Sequence, residues 1–185
     1  MTFEPFDKWG MDFIRPINPP SKQKQHTIMC IDYLTKWAET KAIKTTTKAK
    51  VAEFLRENIF YKFGYPRELV IDQGNQFTSS MIEELLSDHK IKHRTSTPYH
   101  PQANGQVEVT NRALDNILTK VVSSSRKDWA ERLVEATWAY NITWKTITGF
   151  TPYELVYGKK ALLSIEFEHH ILRMASQLDL DLSNA

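Results

Sequence analysis

Three acids, Asp12, Asp72 and Glu108, stand where a carboxylate in this sequence could do chemistry. Asp72 closes the apolar run Leu69-Val70-Ile71 and is followed by Gln73-Gly74, which places an acid at a strand end before a glycine turn. Glu108 follows a stretch broken by Pro98, Pro101 and Gly105. From Gln106 onward Val107, Leu114, Ile117, Leu118, Val121 and Val122 recur at three- and four-residue steps, the helical period. Asn104 is a favoured N-cap, so a helix is predicted from about that residue with Glu108 one turn in. Asp72 and Glu108 are separated by 35 residues. Asp12 lies in Phe6–Ile14, an aromatic and apolar segment closed by Arg15-Pro16, which reads as a strand holding an acid inside a sheet. Three carboxylates brought together repel, and cations neutralise them. Hard oxygen ligands select magnesium or manganese over zinc. Two such ions, about 3.5–4 Å apart, activate an attacking oxygen and stabilise the leaving oxygen of a phosphodiester. That chemistry needs no cysteine, lysine nucleophile or organic cofactor.

The elements that must position these acids follow from patterning. Phe6–Ile14, His26–Tyr33 and Trp37–Ile43 read as three strands with short connections, an antiparallel meander. Thr45-Thr46-Thr47 precedes a helix with Val51, Leu55 and Ile59 on one line, ended by Gly64. The strand Glu68–Asp72 comes next, and strand-helix-strand at this spacing favours parallel pairing with the helix across the sheet. Ser80 and Glu83 have capping-box spacing for a helix whose inner face is Met81, Ile82, Leu85, Leu86 and His89. Ile91–Thr95 is the fifth strand. After the central helix, Asp128 and Glu131 again have capping-box spacing, before a helix with Trp129, Leu133, Ala136 and Tyr140 on one face. A short helix over Pro152–Tyr157 ends at Gly158. The expectation is an α/β fold, a five-stranded mixed sheet flanked by helices, over 1–160, with 161–185 a tail or linker. In a mixed sheet the first and fourth strands can be neighbours, so Asp12 and Asp72 converge while the later helix lays Glu108 across them.

The bulk properties bound this reading loosely. The 185 residues, 41% hydrophobic, suffice for one domain with a substantial core. The 24 basic and 22 acidic side chains leave +2, which by itself neither demonstrates nor opposes a nucleic-acid partner. Cys30 is the only cysteine, so no disulfide framework or multi-thiolate zinc site forms within one chain, and a reducing compartment is expected. No apolar run of about 18 residues is present and the N-terminus lacks a signal-like pattern, so a non-membrane, non-secreted protein or fragment is expected.

The motifs carry a resemblance. Trp9-Gly10-Met11-Asp12-Phe13, Ile31-Asp32-Tyr33-Leu34-Thr35-Lys36-Trp37, Asp72-Gln73-Gly74-Asn75-Gln76-Phe77-Thr78-Ser79, Tyr99 to Glu108, and Thr151-Pro152-Tyr153-Glu154-Leu155-Val156-Tyr157-Gly158 stand in one order. Together they resemble the catalytic core of retroviral-type integrases, most like those of plant Ty3/Gypsy LTR retrotransposons, from a Pol polyprotein. The resemblance implies a ribonuclease-H-like fold and DNA integration, in which element 3′ ends are trimmed by water and then joined to target DNA. It implies a DDE-type polynucleotidyl transferase with Asp12, Asp72 and Glu108 as catalytic and metal-binding residues, holding two Mg2+ or Mn2+ ions in the active complex. It implies DNA contacts at Asn104, Asn111 and Arg112, double-stranded DNA as partner, a homodimer or higher oligomer, and action in the nucleus. No basic import signal is evident.

Helical spacing supports part of this independently: Glu108, Asn111, Arg112 and Asp115 form one polar stripe opposite Val107, Leu114, Ile117 and Val121. Arg112 could meet a phosphate. Asp115 stands where retroviral relatives often present a basic residue. Asp32 is the competing carboxylate and is read as structural, because the turn chemistry seen after Asp72 is missing around it. The histidines are read as structural or surface groups, except that His100 in the loop could touch DNA. Lys90, Lys92, Arg94, Arg112, Lys120, Arg126 and Lys127 could neutralise phosphate. Trp129, Trp138 and Trp144 are read as core or interface residues rather than base-stacking ones. Two other functions fit the same residues: a catalytically inactive or domesticated module that binds nucleic acid, and a nuclease of the ribonuclease H type.

Overall fold

In the computed structural model, β1 (Lys8–Ile14), β2 (His26–Asp32) and β3 (Ala38–Ile43) form the antiparallel meander. β1 then pairs in parallel with β4 (Glu68–Ile71), and β4 in parallel with β5 (Lys92–Thr95), giving the order β3-β2-β1-β4-β5. The structure describes residues 4–14, 17–71, 80–95, 101–123 and 125–162, and of residues 80, 81, 95 and 101–108 the backbone alone. The expected five-stranded mixed sheet is therefore present. β2 and β4 read as near-continuous apolar runs because both of their faces are covered, whereas the edge strands β3 and β5 carry charged and polar residues. Trp9, Met11, Ile28, Cys30, Leu69 and Ile71 face one way, against the helical segment after β3 and the helix before β5. Ile14, Met29, Ile31 and Ala38 face the other way, against the two long C-terminal helices.

The first helical run begins with α1 (Lys48–Phe54), capped by the Thr47 side chain. It widens into a π-helical stretch (Leu55–Phe60) and ends in one turn, α2 (Tyr61–Phe63), before Gly64. Leu55 and Ile59, on the line read from the sequence, are buried there together with Phe60, and the wider turn itself is what the helical period does not reveal. α3 (Ser80–Asp88) buries Ile82, Leu85 and Leu86 as expected, but His89 is exposed and stacks on Tyr65 at 4.3 Å. α4 (Pro101–Val121) starts three residues before the expected Asn104 cap, with Pro101 at its first position, where a missing N–H costs nothing. α5 (Trp129–Ile142) buries Trp129, Leu133, Ala136 and Tyr140, the face read from the sequence. Its expected capping box is not formed: Asp128 instead accepts from the Ser123 N–H and hydroxyl, at 3.1 and 2.8 Å, and closes the turn after α4. α6 (Pro152–Tyr157) is locked by a Thr151–Glu154 capping box and ended by Gly158 at φ 67°. None of the helices is long and apolar enough to cross a membrane, among the described residues.

The free edge of β3 is partly closed by a side chain. Asn141 on α5 is buried, accepts from the Ala38 N–H at 2.9 Å and donates to the Ala38 carbonyl at 3.0 Å, so its amide stands in for a strand. Beside it Thr40 and Thr137 share a hydrogen bond of 2.6 Å. Replacing Asn141 by Ala strands two buried backbone groups. The expected loss is about 2–4 kcal/mol, read from the urea midpoint against the parent.

Candidate active site

β1 runs toward the same end as β4, and in their register Met11 pairs with Ile71. Each of these residues immediately precedes one of the candidate acids, Asp12 and Asp72. Asp12 is half-buried on β1, opposite Met29 of β2. Its carboxylate is oriented by two neutral donors: the Asn111 amide reaches one oxygen at 2.6 Å, and the Phe13 N–H reaches the other at 2.7 Å. These two donors fix the orientation of the Asp12 carboxylate, and carboxylate oxygens are the hard ligands that a divalent cation takes.

Asn111 can do this because α4 lies across β1 and β2. Leu114, Ile117 and Leu118 bury one side of the helix, while Arg112 and Asp115 are exposed. Asp72 lies outside the described residues. Glu108 and Asn104 belong to α4, but their side chains lie outside the described part. The backbone places residue 108 one turn before Asn111, and positions three apart share a helix face. Of the sequence-expected residues, then, Asp12 and Asn111 are brought into contact, and Arg112 stands beside them on the exposed side of α4. Among the described residues, no group of three His, Cys, Asp or Glu side chains is placed to hold a metal ion.

The competing carboxylate is already engaged. Asp32 is fully buried and accepts from the Phe6 N–H at 3.0 Å and from both the N–H and hydroxyl of Thr35 at 2.7 Å. Burial pushes its pKa up while these hydrogen bonds pull it down. Asp32 shapes the turn from β2 to β3 and ties it to the segment before β1, the structural role expected of it. Trp129 is likewise a core residue, fully buried, with its indole N–H on the Pro19 carbonyl at 3.1 Å. Among the basic residues, Arg94 pairs with the buried Glu68 at 3.0 Å, and Lys8 meets the same carboxylate at 2.8 Å.

Behind α4 lies a support that sequence reasoning did not single out. Thr110, the neighbour of Asn111, is buried with its hydroxyl 3.2 Å from that of Tyr140 on α5. The Tyr140 phenol is pushed up to about 12 by burial. Lys145 closes the chain of contacts, its ammonium 2.8 Å from the Tyr140 carbonyl and 3.6 Å from the centre of the Tyr140 ring. Burial pushes Lys145 down to about 7, although the carbonyl and the ring face both favour the cation. A lysine in a threonine-rich turn carries no burial signature, so no sequence signal marks it.

A family description, integrase core domain, matches residues 3–101, more than half of the chain. The chain belongs to the integrase core family. Among curated relatives, the Pro-Pol polyprotein of feline foamy virus is 32% identical over 84% of this chain. The Retrovirus-related Pol polyprotein from transposon 412 of Drosophila melanogaster is 29% identical over 88%, and the Transposon Tf2-3 polyprotein of Schizosaccharomyces pombe is 27% identical over 86%. The chain spans only 13%, 13% and 12% of these relatives, respectively. A chain in the cryoEM structure of the simian T-cell lymphotropic virus intasome in complex with PP2A regulatory subunit B56 gamma superposes with a TM-score of 0.69. That match has 20% identity and covers 86% of this chain and 57% of that one. The fold of this retroviral-type integrase core is thus ribonuclease-H-like.

Lys145, half-buried against Tyr140 of α5, gives a test of the support. Its folded pKa, about 7, lies below the ordinary lysine value, so between the two the unfolded chain holds a proton that the native chain lacks. Stability is therefore expected to rise with pH from about 7 towards the ordinary lysine value, with no slope from this group below about 7, where both states hold the proton. Thermal unfolding followed from pH 7 to 9 should show this slope in the parent and a weaker one in Lys145→Met.

Proposed function

We propose that this chain is the catalytic core of a metal-dependent polynucleotidyl transferase that trims element DNA 3′ ends and joins them to target DNA. Its acids are Asp12, Asp72 and Glu108. The observation that carries the reading is the Asn111–Asp12 hydrogen bond at 2.6 Å, which locks the helix bearing Glu108 onto the strand bearing Asp12. The Met11–Ile71 pairing adds the third acid's neighbourhood at the same sheet end. Two Mg2+ or Mn2+ ions, when bound to these carboxylates, would supply charge neutralisation and activation of the attacking oxygen. The residues of the chain do the rest: Asn111 orients the Asp12 carboxylate, Arg112 offers a bidentate cation to a backbone phosphate, and Asn104 contacts DNA from the first turns of α4.

The same reading makes double-stranded DNA the partner, a homodimer or higher oligomer the working form, and the nucleus the place of action. It takes residues 1–160 as the core, 161–185 as a tail or linker, and a Ty3/Gypsy element as the source. Family membership, the order of the motifs and the sharing of a fold with an intasome component support it.

Resolution of a branched DNA by disintegration, run with magnesium or manganese, tests the assignment. Asp12→Asn, Asp72→Asn and Glu108→Gln are each expected to lower turnover by about 10³-fold or more with the fold retained, the scale of losing a principal stabiliser of the transition state. Parental rates in any of the three would sink the triad. Full DNA binding with no turnover in the parent would instead favour a domesticated binding module. For Asn111→Ala, which removes only the group orienting a candidate metal-binding carboxylate, a loss of about 10- to 100-fold is expected with the thermal midpoint nearly unchanged.

A further inference from the structure

The exposed stripe of α4 does not end at Asn111. Asp115 follows one turn later, about 6 Å along the axis at 1.5 Å per residue. There the helix borders a cavity of about 230 Å³, closed on the far side by Asn18 of the β1–β2 connection and by Arg126 of the turn between α4 and α5. Ile17, Leu118, Val122 and Trp129 make its apolar wall. Ile17 and Val122, both half-buried, supply the accessible part of that wall, with Leu118 and Trp129 packed behind them and the Trp129 N–H engaged by the Pro19 carbonyl. Apolar walls with a carboxylate, an amide and a guanidinium at the rim form an amphipathic slot.

That combination selects its occupant. If substrate DNA follows α4 away from Asp12, as the transferase reading requires, a phosphate would be repelled by Asp115, while Arg126 at the rim would attract one. A base edge carrying amino or imino donors suits a carboxylate, which only accepts hydrogen bonds when ionised. An apolar cavity of about 150 Å³ holds a benzene ring. This one has room for a single nucleobase and not for a base pair. Bases leave the stack at least cost where they are already unpaired, at a frayed end or a branch.

We propose that this cavity receives one unpaired base of the substrate strand, its donor edge on Asp115 and the neighbouring phosphate on Arg126. The inference rests on the transferase reading and extends it to base selection. Guanine fits best, because its N1–H and 2-amino group match the two carboxylate oxygens. Thymine offers one N–H flanked by carbonyls that the carboxylate repels.

The test steps a single 6-methylisoxanthopterin, a fluorescent guanine analogue that keeps the ring N–H and the adjacent amino group, through the unpaired strand of a branched DNA. Its fluorescence is followed as the full chain binds. One position is expected to brighten severalfold on leaving the stack. Val122→Trp, which fills the cavity, should abolish that rise while DNA retention on filters persists. Guanine is expected to be preferred over thymine at the responsive position by about tenfold in the parent, the scale of one bidentate base contact. Asp115→Asn, an exposed and nearly isosteric change, should bring that ratio close to one, and it decides the matter if Val122→Trp does not fold. A rise unaffected by both variants, or DNA bound with no responsive position, overturns the proposal. Disintegration by the parent, measured in parallel, separates the failures: turnover without a responsive base removes the cavity's role and leaves the transferase reading, whereas neither DNA binding nor turnover removes both.

Discussion

The parallel pairing of β1 with β4 is the constraint on which the site depends. It sets Trp9 against Leu69 and Met11 against Ile71 and buries all four side chains. A slip of one residue would turn these side chains to the opposite face of the sheet, so the register is held by the core itself. Because the strands run the same way, their carboxyl ends lie together, and the residues that follow Met11 and Ile71 in the sequence are the two candidate acids. Chemistry at this edge of the sheet is inherited from hydrophobic packing in its middle.

α4 translates that frame into a site. Its apolar side, Leu114, Ile117 and Leu118, fixes how the helix lies on β1 and β2, and the same rotation carries Asn111 to Asp12. Thr110 and Tyr140 brace the helix from behind, and Lys145 braces Tyr140 in turn. The helix is thus held by packing on one side and by a short chain of polar contacts at the level of the site. Such anchoring on a regular element keeps a functional group more precisely placed than a loop would.

Asp12 and Asp32 show how environment divides chemically identical side chains. Asp32 is buried beneath three hydrogen-bond donors, two from the turn it shapes and one from the segment before β1, which uses its charge for architecture. Asp12 is half-buried at the sheet end, where the Asn111 amide and the Phe13 N–H orient its carboxylate.

Much of this was legible in the linear order of residues. Period-two and period-3.6 patterning, with Thr47, Gly64 and Gly158 as punctuation, yields the strands, the helices and the mixed sheet, because burial of one face leaves its trace in every second or every third to fourth residue. The motif order yields the family and the candidate acids. Other features leave no trace in the periodicity, and several of them join residues distant in the chain. These are the π-helical stretch over Leu55–Phe60, Asn141 standing in for a strand against Ala38, the use of Asp128 by Ser123 in place of a cap, the Lys145–Tyr140–Thr110 support, and the partnership of Asn111 with Asp12 across 99 positions. Periodicity records which way a residue faces, and only the tertiary structure decides what it faces.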